Sequence, residues 1–177
     1  MTFENELFLI KNPEIKQFAQ KILTIVPDYF YVIPASSTGK YHPQYCLGEG
    51  GLYRHVQAAI KIACHMMRIE QCEFADDEKD IIIVSLMFHD CWKSGESNSG
   101  HTVHEHPLIA AHKIMQEIND DDLKYAIPVC ENISSHMGSW TTSDKSNFIL
   151  PKPKTEMQKF VHLCDYLASR KDIEVIL

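Results

Sequence analysis

The chain has little with which to grip a polyanion or cross a membrane. Its 17 lysines and arginines are outnumbered by 24 aspartates and glutamates, for a formal net charge of −7. Nucleic-acid binding rests on cationic side chains that neutralise phosphates, so long nucleic acid is not an expected partner. A small phosphorylated substrate is less constrained by net charge. The longest apolar run, Ile81 to Phe88, falls far short of the about 20 residues that span a bilayer. The opening Met-Thr-Phe-Glu-Asn-Glu-Leu has no basic segment of the kind that starts a secretory signal, so the expectation is a cytoplasmic protein without a membrane partner. The six cysteines, at 46, 64, 72, 91, 130 and 164, form no C-x-x-C pair and several sit inside apolar helical patterns. They read as reduced core thiols. No strand pattern or internal repeat stands out.

What is present is helical periodicity. With 177 residues, 45% of them hydrophobic, the chain is long enough for a single domain, 1–177, with a sizeable core. Asn12 followed by Pro13 marks a helix start, and Ile15, Phe18, Ala19, Ile22 and Leu23 keep helical spacing behind it. A second helix, from about Leu52 to Arg68, carries His55 near its apolar face, with Arg54 turned away as a surface charge. Further helices are expected from His106 to Ile118, from Asp120 to His136 with Pro128 bending or interrupting it, and from Thr155 to Arg170. The long stretch between Pro27 and Gly51, and the Ser-, Thr-, Lys- and Pro-rich segment from Gly138 to Lys154, read as loops flanking a site.

The helix from Asp76 to Phe88 sets the rest in order. Asp76, Asp77 and Glu78 suit its N-terminus, and an apolar run follows that ends in His89-Asp90. An imidazole and a carboxylate at the deep end of such a helix are costly unless paired or ligated. Taken alone, the pair is read more economically as a buried histidine hydrogen-bonded to a carbonyl beside a helix-terminal aspartate. It does not stand alone, however: Gly50-Gly51-Leu52-Tyr53-Arg54-His55 precedes it, and His106-Pro107, Ser135-His136-Met137-Gly138 and His162-Leu163-Cys164-Asp165 follow.

In that order and approximate spacing these residues resemble the HD superfamily of metal-dependent phosphohydrolases, over nearly all of the chain after Gly48. The resemblance implies an all-α HD-domain bundle of about five to seven helices. Position by position, it places metal ligands at His55, His89, Asp90, His106, His136 and Asp165. The presence of both His106 and His136 implies two metal ions rather than one. Lys93 fits the family's frequent His-Asp-x-x-Lys pattern and is expected, with Asp90, to act in catalysis. The stretch before His55 is similar to the corresponding loop of HD domains attached to 3′-end exoribonucleases, which makes Lys40 and His42 candidate substrate contacts. His104 and Arg170 are further candidates.

A donor set rich in imidazole favours Mn, Fe, Co, Ni or Zn over Mg, which prefers oxygen. Two such ions activate water and neutralise developing phosphoryl charge. The expected activity is therefore cleavage of a phosphoester in a nucleotide, a cyclic nucleotide or a short oligonucleotide. Two alternatives share the ligand order: an HD-fold di-iron oxygenase, and a nucleotide-sensing module that binds without turnover.

Overall fold

The computed structural model describes residues 2–36, 39, 42–69 and 72–177. Among them the chain is all-helical, with seven α-helices: α1 (Glu4–Leu9), α2 (Pro13–Leu23), α3 (Gly51–Met66), α4 (Asp76–Phe88), α5 (His106–Glu117), α6 (Leu123–Ser135) and α7 (Glu156–Ala168). No strand occurs among the described residues; a single bridge joins Ser143 and Ser146.

Local chemistry explains most of the helix starts. The Asn12 side chain accepts from the Glu14 and Ile15 amides, with Pro13 at the first helical position, where a missing N–H costs nothing. At α7, Thr155 accepts from the Gln158 amide, and Gln158 Oε1 accepts in return from the Thr155 amide. Glu78 accepts from the Ala75 amide at the head of α4. Of the bend or interruption expected at Pro128, the interruption does not occur: the proline lies inside α6. The carbonyl that it leaves without its helical donor belongs to Lys124, an exposed residue. The short α1 precedes the helix expected to be first.

Helix α4 runs through the middle. Every residue from Asp80 to Phe88 is buried, and α3, α6 and α7 pack around it. Ile82, Leu86, Met87 and Phe88 are wholly enclosed, and each contributes roughly 1.5–3 kcal/mol by leaving water. That burial holds α4 firmly enough to carry a polar pair at its end into the core. At its other end, buried Asp80 accepts from the backbone amides of Lys11 and Asn12 at 3.0 and 2.7 Å, joining α4 to the start of α2. Helix α3 lies along α7, and α5 along α6. The stretch from Pro27 to Gly51 contains two short 3-10 turns, Asp28–Tyr31 and Gln44–Cys46, which seat Phe30 and Cys46 in the core. Gly51 is required there: a Cβ would lie 2.2 Å from the Cys46 carbonyl oxygen. All six cysteines are free; four are buried, while Cys64 and Cys72 are partly so. No helix of the described residues is long and apolar enough to cross a membrane.

Candidate metal centre

Four of the packed segments deliver histidines to one place, and three of those histidines are oriented in the same way. His89 directly follows α4, and its Nδ1 donates to the carbonyl of Leu86 at 2.8 Å. His106 opens α5 and donates from Nδ1 to Val103 at 2.7 Å. His136 follows α6 and donates from Nδ1 to Ile133, also at 2.7 Å. Each uses the carbonyl three residues earlier, a local device that commits Nδ1 as donor and leaves the Nε2 lone pair pointing inward. His55, on α3, is held differently: its Nδ1 faces Cys46 Sγ at 3.9 Å, and its Nε2 is 2.9 Å from Asp165 Oδ1 on α7.

Asp90 divides the cluster in two. Its Oδ1 lies 3.0 Å from His106 Nε2 and 3.7 Å from His136 Nε2. Its Oδ2 lies 3.6 Å from His55 Nε2, 3.5 Å from His89 Nε2 and 2.5 Å from Lys93 Nζ. Asp165 Oδ1 completes the second side at 3.4 Å from His89 Nε2. The donor atoms of His55, His89, Asp90 and Asp165 all lie within 4.8 Å of one another, as do those of Asp90, His106 and His136. Either group could hold a metal ion, and Asp90 belongs to both.

The residues fit a cation on their own chemistry. His89 Nε2 and Asp90 Oδ1 are buried without any hydrogen-bond partner, despite the short distances around them. When the imidazoles are neutral, their Nε2 lone pairs face the Asp90 carboxylate and, between His106 and His136 at 3.3 Å, each other, an arrangement that only a cation, a proton or a metal ion, relieves. A buried polar atom left without a partner costs about 1–3 kcal/mol. A positive ion in each group converts these oppositions into ligation.

Charge in the metal-free cluster is sharply polarised. Burial works against ionised Asp90, but Lys93, His89 and His106 outweigh it and hold the carboxyl well below its usual range. Asp165 is depressed in the same way, burial being overcome by hydrogen bonds and charge from His55 and His89. For Lys93 and His89, burial is likewise overcome by the two carboxylates, and both pKa values are raised. His136 shifts the other way: burial, then the charge of His89, lowers it to about 3, so it is neutral and ready to ligate.

A cavity of about 290 Å³ opens onto the cluster, lined by His55, Lys93, His136 and Asp165 and, further out, by His42, Trp140, Tyr166 and Arg170. Asp165 is the most open of the candidate ligands, its side chain 18% exposed where His55, His89, Asp90, His106 and His136 are 0–2% exposed. A larger cavity, 460 Å³, is bounded by Lys61, His65, Ile176 and their neighbours and touches none of these groups. The buried charged cluster lies at the smaller one.

Of the remaining sequence candidates, His42 and Arg170 line the cavity, whereas His104 does not. The Nε2 of His104 instead lies 3.2 Å from the Thr141 carbonyl, tying two loops together. Burial, then the charges of Lys93 and His55, lowers the His42 pKa to about 4. Lys40 lies outside the described residues. Arg54 is more than a surface charge: its guanidinium donates to the carbonyls of Tyr45 and Leu47 and pins the turn that seats Cys46 beside His55.

Sequence reasoning missed Cys46, Trp140, Tyr166 and His162. The His162 Nδ1 donates to the His136 carbonyl at 2.7 Å, and its ring fills the space above Gly138. Only the placement of His162 three residues before Asp165 hinted at a role. Comparison of the chain with family models, with curated proteins and with solved structures gave no match.

Proposed function

We propose that this chain is a metal-dependent phosphoester hydrolase of the HD superfamily kind, with two divalent transition metals held by His55, His89, Asp90 and Asp165 on one side and by Asp90, His106 and His136 on the other. The observation that carries this reading is the division of Asp90, one oxygen facing each set of donors inside a buried cluster. When bound, the metal pair supplies Lewis acidity to phosphoryl oxygens and to the attacking water. The imidazole-rich donor set favours Mn, Fe, Co, Ni or Zn.

The chain's own residues supply the remaining requirements. Four Nε2 atoms, three of them fixed by backbone carbonyls, preorganise the donors so that little rearrangement accompanies ligation. Lys93, kept cationic by Asp90 and Asp165, reaches the cavity and presents its ammonium to phosphoryl oxygens or to the departing oxygen. His42, neutral at physiological pH, sits on the same wall as a proton acceptor. Met137 and Trp140 line the same cavity.

The test is turnover of bis-p-nitrophenyl phosphate and a panel of phosphomonoesters with Mn²⁺, for the native protein and for Lys93→Met. Removing one electrostatic donor to a transition state lowers kcat by about 10²–10³. The substitution is expected to do so while two metals per chain persist by mass spectrometry. Iron-dependent dioxygen uptake without ester cleavage would refute the hydrolase.

A further inference from the structure

Trp140 is out of place for a core residue. The other tryptophan, Trp92, is 3% exposed, whereas Trp140 is 53% exposed yet held firmly. Its ring stacks on Tyr166 with centroids 6.0 Å apart and planes within 16°, and the Arg170 guanidinium lies 4.4 Å over the Tyr166 ring. Backbone bonds fix the segment beneath it: Trp140 N–H donates to Met137 O at 3.2 Å, and Leu150 N–H to Thr141 O at 2.9 Å, with Leu150 itself buried. His104 holds the same Thr141 carbonyl. The ring is therefore a fixed flat surface, backed by a second ring and open to the outside. Phe8, Ile149 and Phe148 are more exposed still, but none of them lines the cavity; Trp140 does, along with Lys93, Asp165 and Arg170.

Position matters as much as exposure. Trp140 is four residues beyond His136, so their Cα atoms are at most about 14 Å apart. Lys93 and Trp140 line the same cavity, which presents a cationic group and a flat aromatic surface to one space. At about 290 Å³ it lies just below the roughly 300–1,000 Å³ typical of small-molecule clefts. A ligand matching both is anionic at one terminus and planar at the other.

We propose that Trp140, stacked on Tyr166 beside Arg170, is a platform for the nucleobase of a nucleoside phosphate whose phosphoryl group lies against Lys93. This rests on the phosphoester reading above. Stacking tolerates any base, since each has a π face, so purines and pyrimidines are both accommodated. Trp140 favours ligands that carry a base over those that carry none, and takes no part in the bond that breaks.

The experiment is a fluorescence titration of the full chain, loaded with diamagnetic Zn²⁺, using uridine 5′-monophosphate and ribose 5-phosphate as probes. Uridine monophosphate is expected to quench the exposed tryptophan, ribose 5-phosphate to leave it unchanged, and Trp140→Phe to abolish the quench. By equilibrium dialysis, Trp140→Ala weakens uridine monophosphate roughly 5- to 150-fold, the range for loss of one base–aromatic stack. Trp140→Phe restores affinity to within a few-fold, and ribose 5-phosphate binds all three proteins alike. Equal binding of the two probes, or an undiminished affinity in Trp140→Ala, overturns the platform even if phosphoesters are hydrolysed. Quenching and base-dependent binding without any hydrolysis sustains the platform and overturns the hydrolase.

Discussion

Replacing Asp90 by asparagine separates the metal centre from the fold. The two residues have the same shape, and the surroundings of Asp90 offer the amide a use for both its atoms. The amide oxygen, placed at Oδ2, still accepts from Lys93, 2.5 Å away in the native protein. The amide nitrogen, placed at Oδ1, can donate to the Nε2 of a neutral His106, which lies 3.0 Å from Oδ1 in the native protein. Breaking a buried ion pair outright costs about 3–5 kcal/mol. Here the hydrogen bond survives and the Lys93 side chain keeps 15% of its surface in solvent, so the loss in the metal-free protein is about 1–3 kcal/mol. Metal binding suffers differently, because both donor groups lose their shared anion. With free metal at 100 times its dissociation constant, a one-site protein gains about 2.7 kcal/mol. For a chain of this length, that is roughly 5–11 °C in Tm. Thermal melts with and without Zn²⁺ or Mn²⁺ are expected to show that gain in the native protein and none in Asp90→Asn at the same metal concentration. A variant that keeps the full metal-induced shift would refute the bridging role. A native protein that shows no shift with any of the five metals would refute the metal centre itself.

Three further outcomes follow from the geometry. In the metal-free protein His136 titrates near 3 and His42 near 4, against 6.5 for an ordinary histidine, so below 6.5 the unfolded chain binds protons that the native state refuses. Their contribution is complete above pH 6.5 and declines as the pH falls through that window, opposite in sign to the contribution of His89, which is lost as pH rises through its raised pKa. Urea denaturation at a series of pH values should therefore show a shallower acid-side decline in His136→Asn. Gly138→Ala places a Cβ 2.2 Å from the His162 ring at a backbone φ of +64°, so the ring must leave the His136 carbonyl. A left-handed non-glycine residue costs about 1–3 kcal/mol, to be read from the denaturation midpoint, with weakened metal affinity as its companion. Asn12→Ala, far from the site, removes the acceptor of two amides and should cost about 0.5–2 kcal/mol with metal affinity unchanged by titration.

Much of this was legible in the sequence. Asn12-Pro13 and the Thr155 to Gln158 box mark helix starts through contacts within a few residues, so sequence alone suffices to place α2 and α7. The apolar run before His89 made a buried α4 unavoidable, since no surface could hold it, and a His-Asp pair at its end needed partners. The candidate ligands were readable as residue types in order. Where the sequence fell short, a distant group was deciding: Arg54 turned out to pin the Tyr45–Leu47 turn and His104 to hold the Thr141 carbonyl. Only the tertiary structure decided which oxygen of Asp90 faces which histidines, that His42 and Arg170 share a cavity with Lys93, and that Trp140 lies flat on Tyr166 beside them. Helix periodicity and caps are written in neighbours along the chain. Those distances instead depend on how α3, α4, α6 and α7 pack, a property that no local stretch carries.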